Sequence, residues 1–296
     1  MIAAGAAAVG VAVGGYTWLV EPHWVQLVRR RMPLAGLPPE LEGRTLLQVS
    51  DLHVGPLVDS DYLIRSLRGA AALAPDFVVG TGDFVSYRRG QHYGELARVL
   101  SALPHGRLGT LAVLGNHDYG DAWRELPVAD AVERVLCDAG ATVLRNEVAQ
   151  LGGVQFAGLG DLWSSEFDAA VRLGAASSAA ETLGALDRGA PTVVLCHNPD
   201  ALDLPIWEGV RGWVLAGHTH GGQCKPPFLP PPLLPVKNRR YTAGSFDVGP
   251  GRTLYINRGL GHLIPVRFNV RPELTLFTLE RAGGANGAGG AGGAEG

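Results

Sequence analysis

Five short clusters of acidic, amide and imidazole side chains punctuate the chain: Asp51-Leu52-His53, Gly82-Asp83, Gly115-Asn116-His117-Asp118, His197-Asn198 and Gly217-His218-Thr219-His220. In an extended chain positions i and i+2 face the same side, so Asp51 with His53, and His218 with His220, can each address one pocket. Glycine at 82, 115 and 217 lets the backbone turn closely beside them. Pooled, the clusters offer the carboxylates of Asp51 and Asp83, the amide oxygen of Asn116 and the imidazoles of His53, His197, His218 and His220, with no thiolate. Such a donor set suits borderline divalent ions, Mn, Fe or Zn, better than Ca. Taken singly the signals are weak: Asp-x-His also reads as a surface pair, and Gly-Asn-His-Asp as a turn. Their joint order and placement is what points to one metal site.

Each cluster follows a short apolar run. The runs Thr45 to Val49, Asp76 to Val79, Leu108 to Leu114, Thr192 to Cys196 and Gly212 to Ala216 read as buried strands. Between them, Tyr62 to Leu73 and Val128 to Asp138 carry apolar residues at helical spacing. Alternating strand and helix predicts an α/β fold. In open α/β sheets the loops beyond the carboxyl ends of the strands form the ligand crevice, which lets five separated clusters meet. Further strands over Thr142 to Val148, Val154 to Leu159, Thr253 to Ile256 and Leu274 to Leu279, with less helix between them, suggest a second sheet packed on the first.

Asp-x-His, Gly-Asp, Gly-Asn-His-Asp, His and Gly-His-x-His, in this order from Leu46 to His220, resemble the calcineurin-like metallophosphoesterases. Gly221-Gly222-Gln223, Leu254 to Gly261 and Arg271-Pro272-Glu273 further resemble the bacterial membrane-associated branch with the YkuE-like and YaeI-like phosphoesterases. The resemblance implies a four-layer αββα sandwich of two mixed β-sheets flanked by helices. It also implies two divalent metal ions: Asp51, His53, Asp83 and His220 on one, and Asp83, Asn116, His197 and His218 on the other. The implied reaction is hydrolysis of a phosphomonoester, phosphodiester or pyrophosphate by a hydroxide bridging the dinuclear centre. A lipid-linked substrate such as UDP-2,3-diacylglucosamine is within the branch's range.

For the reaction itself, His117 is expected to protonate or hydrogen-bond the leaving oxygen, with Asp118 holding its ring. Arg258 reads equally as a phosphate contact or a structural partner of a carboxylate, Arg239 and Arg240 are similarly open, and Asp161 reads as a residue that structures its loop. Two alternatives are a nuclease or nucleotide phosphodiesterase, and a non-catalytic metal-binding scaffold of the same fold.

The chain has 296 residues, 46% hydrophobic, with 25 basic against 28 acidic side chains and a net charge of −3. That size supports a substantial core, and the balance lacks the basic excess of a nucleic-acid binder. Cys137, Cys196 and Cys224, an odd number without close pairing, fit neither a disulfide framework nor a zinc knuckle. Residues 1–31 read as a membrane anchor or interfacial segment: Ile2 to Val20 is uncharged, and Trp18, Trp24 and Arg29 to Arg31 suit a membrane interface, its side left open. Residues 32–40 read as a link, 41–280 as the phosphoesterase domain, and 281–296 as a disordered Gly/Ala-rich tail.

Overall fold

The computed structural model describes residues 10–87, 92–164, 166–167 and 178–282. Among them twelve strands form two six-stranded sheets. The first contains β1 (Gln26–Leu34), β2 (Thr45–Val49), β3 (Phe77–Thr81), β4 (Gly109–Val113), β5 (Thr142–Val143) and β12 (Glu273–Arg281), in the order β1-β12-β2-β3-β4-β5. The second contains β6 (Glu147–Leu151), β7 (Val154–Gly158), β8 (Thr192–Leu195), β9 (Gly212–Ala216), β10 (Gly244–Asp247) and β11 (Arg252–Ile256), in the order β10-β11-β9-β8-β7-β6. Both sheets are mixed: β12 runs antiparallel to β2, while β6 and β10 run antiparallel to their neighbours.

Alternation along the strands explains the layering. Leu46, Phe77, Val79, Leu111 and Val113 of the first sheet meet Val154, Phe156, Val193 and Leu195 of the second, and Gln48 crosses the seam to donate to Thr81 Oγ1 and the Ala216 carbonyl, both at 3.0 Å. Leu47, Val49, Val78 and Ala112 point the other way, onto α1 (Ser60–Ala71), α2 (Tyr93–Leu100) and α3 (Leu126–Asp138). Asp59 caps α1 by accepting from the Asp61 N–H, and Pro127 opens α3, where its missing N–H costs nothing. Against the outer face of the second sheet pack α4 (Ser178–Gly184), Leu202 and Trp207. The result is the αββα sandwich.

Two expectations need correction. The stretch taken partly as interfacial segment and partly as a link includes β1, which pairs in parallel with β12 from Gln26 opposite Glu273 to Leu34 opposite Arg281. Met32 and Leu34 sink into the core between the sheets, and the Trp213 indole donates to the Pro33 carbonyl at 3.0 Å. Three consecutive arginines and Pro33 disguise the strand; Pro33 is tolerated because β1 lies at the sheet edge. Likewise Thr142 to Val148 is not one strand. The chain leaves the first sheet after Val143, turns at Asn146 with φ of 59°, and enters the second at Glu147.

Ahead of β1, helical turns at Tyr16–Val20 and Glu21–His23 dock on the domain: the Arg267 N–H donates to the Thr17 carbonyl at 3.0 Å, and the Val270 N–H to buried Glu21 at 2.6 Å. No helix among the described residues is long and apolar enough to cross a membrane. Residues 1–9 and most of the expected tail, 283–296, lie outside the described residues. Because β1 belongs to the core, Met32→Ala should cost about 2–5 kcal/mol in urea unfolding, whereas Leu27→Ala on the exposed side of the strand should cost less than about 1 kcal/mol. Equal, small effects would make β1 a dispensable extension.

Candidate metal centre

All five clusters sit at strand ends along one edge of the sandwich, three from the first sheet and two from the second. Bonds across the seam hold them together. Asp51, after β2, accepts the backbone N–H of His218 at 3.0 Å, and His197, after β8, donates from Nδ1 to the Thr81 carbonyl at 2.7 Å. Asp51, His53, Asp83, His218 and His220 all have positive φ, between 48° and 71°, where bulky side chains seldom rest. Each such residue costs on the order of 1–3 kcal/mol, and such strain concentrates at functional sites. Close approach also explains two glycines: a Cβ at 115 would collide with the Asp83 carboxylate, and one at 217 with Ser50 and Asp51.

Side-chain atoms of Asp51, His53 and His220 lie within 4.8 Å of one another, and those of Asp83, His197 and His218 do the same. Asp83 belongs to both halves: its Oδ2 is 3.1 Å from His197 Nε2 and 3.5 Å from His53 Nε2. His53 Nε2 and His220 Nε2 are 3.0 Å apart. All six residues are buried, as is Asn116, whose side-chain oxygen has no protein partner.

The protonation pattern favours cations. With His197 Nδ1 donating to Thr81 and His218 Nε2, 2.7 Å from the Pro235 carbonyl, donating there, His197 Nε2 and His218 Nδ1 converge on the centre 3.1 Å apart. Burial pushes the His218 imidazole down to about 3 and holds His53 and His220 well below their ordinary values, so all three are neutral ligands. Burial, reinforced by Asp83, raises Asp51 to about 7. For His197 the lowering effect of burial is outweighed by Asp83, with Asp51 and Asp161 adding to it, and the ring lies well above its usual range. Converging imidazole nitrogens, two buried carboxylates and an unpartnered amide oxygen fit two divalent cations whose identity the donor types leave open.

His117 stands half-buried at the rim, its N–H donating to Asp83 Oδ1 at 2.9 Å and its ring centroid 5.1 Å from that of His53. Asp118 differs from expectation. Its carboxylate accepts the backbone N–H groups of Phe84 at 2.8 Å, Val85 at 3.2 Å and Gly115 at 2.8 Å, so it braces the β3 and β4 loops rather than the His117 ring. Arg258 pairs with Glu273 and donates to Gln26; Arg239 donates to the Pro231 carbonyl and Arg240 to that of Asp247. Asp161 accepts the Trp163 N–H and orders its turn, leaving one buried oxygen without a protein partner.

Several contributors escape sequence reasoning. Trp123 and Trp163 stack with centroids 5.1 Å apart, Trp163 meeting the His218 ring edge-on at 4.5 Å and Trp123 the His117 ring at 5.9 Å. Trp123 has φ of 59°, an outlier for a bulky residue. Arg267 is fully buried, pushed down to about 10 by that burial, and donates to the carbonyls of Arg258 and Gly261, fixing the loop that walls Asp51. No local sequence pattern marks these residues. Cys196 is buried, Cys224 half-buried and Cys137 exposed; all three are free.

Comparison with known proteins agrees with this geometry. The chain is 31% identical over 271 residues to the phosphodiesterase YaeI of Escherichia coli, covering 90% of this chain and 92% of that one. It is 32% identical over 294 residues to the metallophosphoesterase YkuE of Bacillus subtilis, covering 94% and 93%. The UDP-2,3-diacylglucosamine pyrophosphatase LpxG of Chlamydia trachomatis is 28% identical over 315 residues, covering 88% and 92%. The calcineurin-like phosphoesterase model matches residues 44–222, the span that holds every donor described above, and by that match and these identities the chain belongs to the calcineurin-like phosphoesterase family, enzymes that hydrolyse phosphoester bonds.

Proposed function

We propose that this enzyme cleaves a phosphodiester or pyrophosphate bond in an amphiphilic, lipid-linked substrate. The observation that carries the substrate class is an apolar cavity of about 370 Å³ whose wall includes Thr219 and His220 of the metal centre and continues through Leu233, Leu234, Ile264 and Val266. An apolar chamber opening beside a charged centre matches a substrate with a phosphate at one end and an acyl chain at the other. Phe228 and Leu229, exposed on the same Pro-rich loop, extend the apolar surface outward. The similarity to a pyrophosphatase of UDP-2,3-diacylglucosamine supports this class.

In this reading Asp51, His53 and His220 hold one cation, and His197, His218 and Asn116 the other, with Asp83 shared between them. When bound, the pair supplies Lewis-acid neutralisation of the phosphoryl oxygens and a nucleophile at neutral pH. The chain's own residues do the rest. Asp83 and Asp118 fix the His117 backbone loop, so the ring stands over the centre where a leaving oxygen departs, ready to donate a proton to it. Trp163 and Trp123 close the side of the cleft at His218 and His117, excluding water there.

His117→Ala should leave both metal equivalents in place yet slow hydrolysis of an alkyl phosphodiester by about 10²–10⁴-fold, with a much smaller loss for an activated nitrophenyl ester. Loss of metal, or equal slowing on both esters, would assign His117 to an ion instead. The lipid reading has its own check. Leu233 and Ile264 are exposed enough for Ser to be tolerated, so the Leu233→Ser/Ile264→Ser variant should lower kcat/KM for a micellar lipid phosphoester by roughly tenfold or more relative to a water-soluble diester, as expected when two apolar contacts of about 1–2 kcal/mol are removed. An unchanged ratio would return the cavity to ordinary packing.

A further inference from the structure

On the far side of the turn that carries His220 lies a second, polar cavity of about 570 Å³, between β1 and the loops after β9 and β11. Gly221 belongs to its wall, which places it next to the metal centre without including any metal donor. Its inner surface is neutralised already: Glu273 pairs with Arg258 and accepts the Tyr255 hydroxyl at 2.5 Å. What remains is positive. Arg29, Arg30 and Lys225 line the cavity, are exposed, and have no carboxylate partner among the described residues.

Cations on an edge strand also discourage sheet-to-sheet pairing. That role calls for charge on β1 alone and does not account for Lys225, which arrives from a separate loop at the same cavity. Three unpaired cations around one polar cavity are a site for an anion. Its volume exceeds the needs of inorganic phosphate and admits a phosphate with a glycerol-sized group attached.

The surroundings identify the bearer of that phosphate. Leu27 lines the cavity and is 39% exposed; Trp24, three residues before it, is 51% exposed with the Arg271 guanidinium 3.9 Å from its ring centroid. Trp18 and Leu19, on the helical turns just upstream, are also exposed. Aromatic and aliphatic side chains beside unpaired cations match the boundary between headgroups and acyl chains of an anionic bilayer. We propose that this cavity binds the phosphate headgroup of an anionic phospholipid, docking β1 on the membrane and bringing the apolar cavity and the metal centre to its surface. The inference deepens the lipid-substrate reading but concerns binding, not hydrolysis, and is measured separately from it.

The full-length protein, kept in chelator so that the metal centre is silent, is co-sedimented with vesicles of phosphatidylglycerol in phosphatidylcholine and with phosphatidylcholine alone. Binding should require phosphatidylglycerol. The Arg30→Gln/Lys225→Gln variant should bind those vesicles roughly 30-fold more weakly, the effect of two cations near an anionic surface, with an unchanged thermal midpoint. Arg98→Gln/Arg134→Gln, which removes the same charge from α2 and α3 on the side of the sheet away from β1, should change binding less than about threefold, because charge distant from the docking face is screened. Equal losses in the two double variants would reduce the effect to net charge and overturn the proposal. So would equal binding to both vesicle types, or binding of glycerol 3-phosphate or inorganic phosphate with no binding to vesicles, which would assign the cavity to a free anion.

Discussion

Asp51 and Asp83 are buried carboxylates among imidazoles, of which burial keeps His53, His218 and His220 neutral, and the need to neutralise the two acids shapes everything around. An unpaired ion inside a protein costs several kcal/mol. Here the compensation has to be shared, because Asp83 touches His53 on one side and His197 on the other. Divalent cations satisfy both carboxylates, the converging imidazole nitrogens and the Asn116 oxygen at once, and the resulting positive centre attracts a phosphate.

Holding that arrangement explains features that would otherwise be liabilities. The two sheets must stay in register across a seam to which each contributes donors, and buried Gln48 and the Asp51 and His197 backbone contacts tie it. Positive φ at five donors turns side chains inward from strand ends at a cost that the surrounding core must offset. Arg267 and Asp118 are equally interior, yet each is spent on backbone groups of the loops that carry the donors. Rigid support of this kind keeps ligands in place before a metal arrives.

Local pattern carried much of this architecture. Apolar runs followed by Asp-x-His or Gly-His-x-His are read within a few residues, so β2, β3, β4, β8 and β9 and the clusters after them were legible. β1 was not, since Arg29 to Arg31 break its alternation and its pairing with β12 joins positions almost 250 residues apart. The divided strand at 142–151 was equally hidden, because a turn at Asn146 and a change of sheet leave the β-propensity of its flanks intact. Asp118 shows a different limit: its residue type fits an acid beside a catalytic imidazole, and only its three backbone donors reveal the brace. Trp123, Trp163 and Arg267 act through partners distant in sequence, which no short motif encodes.

The shared carboxylate is the centre of the account, and counting metal in Asp83→Ala tests it most directly. Purified wild type and variant, loaded with Mn or Zn and freed of excess ion, are compared by elemental analysis and by turnover of a soluble phosphodiester, with circular dichroism to establish folding. Because one side chain touches the donors of both halves, the account predicts that the folded variant loses both equivalents together with hydrolysis. A folded variant that keeps two equivalents and near wild-type turnover would contradict it.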